Sequence, residues 1–293
     1  MAEHFAKKRA VKNRAKDAGK AAVKALGWWK AHRFLLLRRS CQLLIIGLFM
    51  VGPTLGVLRG NLSSSSLFDT IPMTDPLILL QTIAAGHLPE LTALLGALIV
   101  VVFYAVIGPR VFCGWVCPLN MVTDAAAWLR RKLGLKVSYN WSPRLRYWLL
   151  PVLLLGSAVS GTVLWSWIDP VAALHRGLIF GMGASWILIV LVFALDLLLV
   201  EHGWCGHLCP LGAAYGVIGR KSLIRVTATN REACNKCMDC FNVCPEPEIL
   251  RQPLKEGDRR VMSQDCISCG RCIDVCSERV LEFKTRIGAK YEG

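Results

Sequence analysis

Four long stretches of the chain carry almost no polar punctuation. Ser40–Leu58, Leu91–Pro109 and Tyr147–Ile168 contain no charged residue, and Gly177–Val200 contains only Asp196. A helix needs about 20 apolar residues to cross a bilayer, so the pattern predicts four transmembrane helices. Pro53 and Gly56 are expected to bend the first, and Pro151 lies near the start of the third. Leu77–Ala85 is apolar but too short to cross, so it should lie in the interface or pack over the bundle. The chain then divides into a basic N-terminal segment (1–39), a four-helix membrane domain (40–220) and a smaller cysteine-rich domain (221–293).

Charge sets the orientation. A mean hydropathy of +0.44 with a net charge of +15 fits a membrane protein with basic cytoplasmic segments. The basic residues flank apolar spans and form no patch on one domain, so nucleic-acid binding is set aside. Lys and Arg number twelve in residues 1–39, one in 59–90, seven in 110–146, one in 169–176 and fourteen in 201–293. The positive-inside rule therefore places the N-terminus, the second loop and the C-terminus in the cytoplasm, and four spans return the chain to its starting side. Residues 1–39 read as a basic helix on an anionic membrane surface with Trp28 and Trp29 at the interface; a disordered arm is the alternative. No small-residue cleavage site follows the first apolar stretch, so no removable leader is expected.

Eight of the thirteen cysteines fall in two runs of one spacing. Cys234, Cys237, Cys240 and Cys244 form C-x2-C-x2-C-x3-C-P, and Cys266, Cys269, Cys272 and Cys276 form the same run ending in Ser277. This is the spacing of a two-cluster ferredoxin, in which the fourth cysteine of each run serves the other cluster. It predicts one [4Fe–4S] site from Cys234, Cys237, Cys240 and Cys276, and a second from Cys266, Cys269, Cys272 and Cys244. Disulfides do not explain the doubled spacing, and zinc sites usually separate their C-x2-C units by longer gaps.

A second repeat lies at the membrane boundary. Cys113-Gly-Trp-Val-Cys117-Pro-Leu recurs as Cys205-Gly-His-Leu-Cys209-Pro-Leu, each copy following an apolar span. This predicts two helix-pair repeats about a pseudo-twofold axis. Three readings of Cys113, Cys117, Cys205 and Cys209 stay open: a third iron–sulfur cluster, redox-active dithiols, or buried structural thiols. Cys41 stands alone and reads as a small core residue. None of the six histidines lies in a charge-free stretch and no C-x-x-C-H occurs, so no haem is expected.

Several local strings carry a family resemblance. They are Gly27-Trp28-Trp29, Leu37-Arg38-Arg39, Ser66-Leu67-Phe68-Asp69-Thr70, Thr74-Asp75-Pro76-Leu77, Glu201-His202-Gly203-Trp204-Cys205-Gly206-His207 and Cys237-Met238-Asp239-Cys240-Phe241. With the cysteine motifs, they make nearly the whole chain resemble the NapH family, the membrane ferredoxin-type subunits of quinol dehydrogenases. The resemblance implies a bacterial inner-membrane protein that oxidises quinol. Its electrons would pass to a NapG-like partner iron–sulfur protein and on to periplasmic nitrate reductase. A quinol is a lipid-soluble two-electron donor, and clusters accepting one electron each can split the pair. Candidate acceptors for the quinol protons are Asp196, Glu201 and His202 on the cytoplasmic side and His87 and His175 on the outer side. The competing reading is a FixG/CcoG-like membrane ferredoxin acting in copper reduction and oxidase assembly; the related subunit of methylamine-oxidising systems is a further one. A cytoplasmic ferredoxin domain and a periplasmic acceptor leave the transmembrane route open.

Overall fold

The computed structural model describes residues 18–55, 57–68, 70–135, 141–181, 183, 185–255 and 257–286. Most of the expected basic N-terminal helix (1–17) and the bend at Gly56 lie outside them. The described part of that segment holds a short helix, α1 (Lys20–Leu26), and a turn of helix at Trp28–Ala31.

The first apolar stretch forms α2 (Arg33–Leu55). Among the described residues Arg33–Gly52 is the one helical stretch long and apolar enough to cross a membrane. Its first turn takes a cap from far along the chain: the amides of Phe34 and Leu35 donate to the two oxygens of Asp274, at 3.2 and 3.0 Å. The next residues form a small antiparallel sheet of β1 (Leu58–Gly60), β2 (Ser64–Leu67) and β3 (Ile71–Thr74), in which Leu58 faces Leu67 and Ser65 faces Met73.

The short apolar run becomes α3 (Pro76–Ala84), which packs back into the bundle and buries Leu77 and Gln81. The second apolar stretch is α4 (Leu91–Ile107). The first C-x3-C begins in α5 (Val111–Trp115), and Pro118 opens α6 (Leu119–Leu133). Helix α6 buries Asn120, Thr123, Ala127 and Arg130 on one face and ends on three consecutive cations, which suit its negative end.

The third and fourth apolar stretches are not single helices. Tyr147–Ile168 yields α7 (Leu145–Ser160), and Gly161 then stops it at a φ of +65°. Gly177–Val200 is divided between α8 (Pro170–Phe180) and α9 (Ser185–Ala194), which runs on as a π-helical turn over Leu195–Leu199. Charge-free sequence cannot reveal such breaks, because glycine and short turns are as uncharged as the helices they end. Helices α4, α7 and α9 with its π turn are apolar but shorter than α2.

The breaks expose a second layer of internal repetition. Helix α3 opens with Asp75-Pro76, and Asp75 Oδ1 accepts from the Leu77 amide at 2.7 Å. Helix α8 opens with Asp169-Pro170, and Asp169 Oδ1 accepts from the Val171 amide at 2.9 Å. Both are N-caps on a helix whose first residue needs no amide partner. Leu77 and Val171 then join one core with Tyr104, Phe112, Cys117, Cys209, Leu211 and Tyr215.

The chain leaves this core through α10 (Pro210–Ile218) and enters the C-terminal domain. There β4 (Ile224–Ala228) pairs antiparallel with β5 (Leu281–Thr285), closing the two cysteine runs between them. Two one-turn helices, α11 (Asp239–Val243) and α12 (Arg271–Asp274), lie in the runs, and Val226, Leu250, Val261, Val280 and Leu281 form the domain core.

Candidate iron–sulfur centres

The eight ferredoxin cysteines divide into two groups of four. Cys234, Cys237, Cys240 and Cys276 line one cavity of about 450 Å³ together with Met238, Phe241 and Leu281. Cys244, Cys266, Cys269 and Cys272 line a second, much tighter one against Val226, Pro245, Leu250 and Val261. Among the described residues no three metal-binding side chains converge as they would on a single ion. A cubane presents iron at separate corners, so its sulfurs need to surround a space. The first cavity is of that kind; around the second the four cysteines gather with only about 20 Å³ between them.

The backbone fits as well as the thiols. Lys236 and Ser268 occupy the same place in the two loops, as do Met238 and Gly270, and all four are left-handed, with φ of +57°, +49°, +68° and +72°. Such alternation curls consecutive amides into an anion-binding concavity, suited to a cluster and its thiolates. At Gly270 a side chain would also strike Phe34, since an added Cβ would stand 2.5 Å from its ring.

The two C-x3-C turns meet against the second cavity. Cys117 and Cys209 are buried in the helical core with Cys113 beside them, and Cys205 Sγ lies 3.9 Å from Thr123 Oγ1. All four are close enough that Cys113 acts electrostatically on each of the others. Burial pushes the thiols of Cys117 and Cys205 well up, and that of Cys209 up to about 12. Each turn touches one wall of the Cys244/Cys266/Cys269/Cys272 cradle. Gly114 lies under Ile267, where an added Cβ would stand 2.7 Å from the carbonyl oxygen and 3.7 Å from Cys269 Cβ. Gly206 lies beside Glu246, two residues past Cys244, with 3.4 Å for the same added atom. Glycine is required for close approach at Gly114, whereas Gly206 leaves room for a methyl at ordinary contact distance.

Buried arginines bind the two layers together. Arg110 donates to the carbonyl of Cys205 at 2.5 Å and to that of Asp265 at 3.2 Å. Burial opposes its charge, but Cys113, Glu246, Cys205 and Cys209 around it more than offset that and raise its pKa. Arg146 donates to the Gly206 carbonyl at 2.5 Å, to Glu246 at 2.9 Å and to Asp265 at 2.5 Å. Trp115 Nε1 donates to the Ser268 carbonyl at 2.9 Å. On the far side Asp124 of α6 accepts from Arg39 of α2 and from Arg271 of α12. Those arginines outweigh its burial and hold its carboxyl down at about 2. No motif marked Arg110, Arg146, Asp124 or Glu246 in the sequence; a charged residue beside an apolar boundary was their only trace.

The proton-acceptor candidates are scattered. Asp196 is buried in the π turn, its Oδ1 accepting from the Trp204 amide at 2.9 Å, while Arg130 holds the carbonyls of Asp196 and Leu197. Glu201 pairs with Arg131 at 2.9 Å. His202 is buried, and burial with Arg271 nearby lowers its pKa to about 3. His87 is exposed, with Nε2 3.1 Å from the Gly161 carbonyl. His175 is buried edge-on to Phe49.

Comparison with known proteins agrees with this chemistry. Residues 90–136 and 182–227, the two C-x3-C regions, each match a family described as a 4Fe-4S binding domain, and residues 226–277 match a 4Fe-4S dicluster domain. The ferredoxin-type protein NapH of Haemophilus influenzae is 58% identical over 94% of this chain and 97% of its own length. That of Escherichia coli is 54% identical over the same shares. The chain belongs to the NapH family. The family is close to another: the methylamine utilization ferredoxin-type protein MauN of Methylorubrum extorquens is 47% identical over 90% of the chain and 93% of its own length. No solved structure matches. As a NapH-family member with 4Fe-4S domains, the protein is a ferredoxin-type iron–sulfur protein of electron transfer.

Proposed function

We propose that this chain is the membrane-embedded subunit that oxidises quinol and passes the electrons, through iron–sulfur centres, to a partner iron–sulfur protein feeding periplasmic nitrate reductase. One [4Fe–4S] cluster would be held by Cys234, Cys237, Cys240 and Cys276, and a second by Cys244, Cys266, Cys269 and Cys272. Cys113, Cys117, Cys205 and Cys209 would hold a third centre. A bound cluster supplies storage for one electron at each place. The protein supplies insulation, fixed positive charge from Arg110, and the approach made by Gly114 and Gly206.

The observation that carries this reading is the seating of both C-x3-C turns on one ferredoxin cradle. It joins the cysteines at the membrane boundary to those of the soluble domain without an intervening layer. Membrane embedding is supported by the surface of the short helices: Leu91 and Leu98 on α4, Trp148 and Val159 on α7, and Trp186 and Ile187 on α9 are all exposed and apolar. An apolar belt of that size marks a lipid or partner surface. With α2 these helices would make four passes, and the segment charges favour both termini in the cytoplasm.

Iron and acid-labile sulfide on the anaerobically purified chain provide the first test. About eight of each per chain leaves the C-x3-C cysteines without a cluster, and about ten to twelve supports the third centre. Visible bleaching by decylubiquinol or menadiol then tests the donor. Bleaching by dithionite but by neither quinol overturns the quinol reading and leaves the iron–sulfur one.

A further inference from the structure

A cleft of about 840 Å³ lies between α1, the first turns of α2, the exposed side of α6 and the ferredoxin loops. We propose that this cleft receives the quinol head group and that His32 Nε2 takes its first proton. The proposal rests on the quinol reading above and adds the place and the acceptor.

Size and position come first. Small-molecule sites commonly enclose about 300–1,000 Å³, so a quinone ring and the root of its tail fit. The apolar lining comes from Val23, Leu35, Met121 and Trp128. Trp128 is 57% exposed, an apolar edge along which a prenyl tail can leave the cleft. The inner wall is formed by Val243, Arg271 and Val275. These immediately precede Cys244, Cys272 and Cys276, so a ring in the cleft borders both four-cysteine cradles.

The polar lining fits the chemistry of an oxidised diphenol. His32 Nδ1 lies 2.9 Å from the Trp28 carbonyl oxygen. A carbonyl can only accept, so Nδ1 carries the hydrogen and Nε2 keeps its lone pair. Arg39 and Arg131 also line the cleft. Arg39 is held by Asp124, which lines the cleft beside it, and Arg131 by Glu201. With Arg38 and Arg271 in the same lining, the cations outnumber the carboxylates of Asp124 and Asp274, which favours a forming phenolate oxygen. Quinol loses two protons and two electrons to become quinone. One O–H proton goes to His32 Nε2 and the second to water at the mouth, and the electrons leave singly for the two [4Fe–4S] clusters of the reading above. An anionic lipid phosphate would also suit the arginines. It would gain nothing from the bordering cysteine loops, and competition by phosphatidylglycerol against decylubiquinone separates the two occupants.

The test uses the full-length chain with its clusters, purified anaerobically in detergent. A photoreactive azidoquinone should label peptides of α2 and α6, and decylubiquinone should compete for the label. The cavity-filling variant Ala125→Trp should lose labelling and quinol-driven bleaching while keeping its iron and its bleaching by dithionite. His32→Gln should keep labelling and lose about a hundredfold in the rate of quinol-driven bleaching, the scale of a lost general base. Labelling of the unaltered chain elsewhere, or competition by phosphatidylglycerol but not by decylubiquinone, overturns the site. So does unchanged quinol bleaching in Ala125→Trp, while the quinol reading stands. An unaltered chain that dithionite bleaches and quinol does not removes both. If Ala125→Trp fails to retain iron, the labelling map of the unaltered chain decides.

Discussion

Cys237 and Cys269 hold the same place in two loops of one spacing and one backbone path, yet Cys237 is exposed and Cys269 is buried. The Cys234/Cys237/Cys240/Cys276 cradle opens to the surface beside Lys236 and Lys255. The Cys244/Cys266/Cys269/Cys272 cradle is roofed by Gly114, Gly206, Arg110 and Arg146 from the helical part of the chain. Spacing fixes which thiols surround a cluster. What lies outside the loops decides whether that cluster exchanges electrons with the protein interior or with another molecule.

The largest effect should separate the two cradles outright. Cys266→Ser and Cys237→Ser should each lose about four iron atoms per chain. Only Cys266→Ser should also free the C-terminal domain from the membrane helices, read as rapid tryptic cleavage between them. Equal protease resistance would mean that the two cradles do not differ in this way. Arg146→Ala comes next. It removes the arginine that Glu246 and Asp265 share, leaving Asp265 its Tyr147 hydroxyl and Glu246 the more distant Arg110. The loss should therefore fall at or below about 3–5 kcal/mol, the cost of a broken buried pair, measurable as a fall in the melting temperature. Arg251→Ala, at an exposed pair with Glu248, should stay within about 1 kcal/mol.

Overpacking the roof sharpens the comparison further. Gly114→Ala should cost about 1–3 kcal/mol, because the methyl meets a carbonyl at 2.7 Å, and it should shift the redox potential of the buried cradle alone. Gly206→Ala, with 3.4 Å to a side-chain oxygen that can move, should cost less. The smallest effect is expected at Met238→Gly. It relieves a left-handed residue, worth about 1–2 kcal/mol before the added chain entropy is counted, so a net change under about 1 kcal/mol should appear in the melt. Gly270→Ala, the matching change in the buried loop, should be clearly destabilising, because Phe34 fills the space.

The cysteine grouping could be read from spacing because short loops leave few ways to surround a cluster. The paired C-x3-C turns were equally visible as a repeat. The Asp75-Pro76 and Asp169-Pro170 caps are the same repeat, but they lie in the loops between the apolar stretches, and a shared dipeptide is too short to mark a repeat. Hydropathy marked where apolar chain runs and missed where it turns: α7 stops at Gly161 and α9 starts at Ser185 without any charge to announce it. The cross-links escaped for a different reason. Arg146 and Glu246 are 100 residues apart, and a single arginine beside an apolar run looks the same whether it meets water or a buried carboxylate.

Helix α2 is made early, yet the carboxylate that caps its first turn belongs to Asp274, about 240 residues later. The ribosome therefore releases the first membrane helix long before its final lock exists. Asp274 sits two residues from Cys272 and two from Cys276, so the loop that locks the helix is also the loop that would carry iron in the proposed clusters. A chain starved of iron should therefore be cut faster by protease at the start of α2, where Asp274 caps the helix.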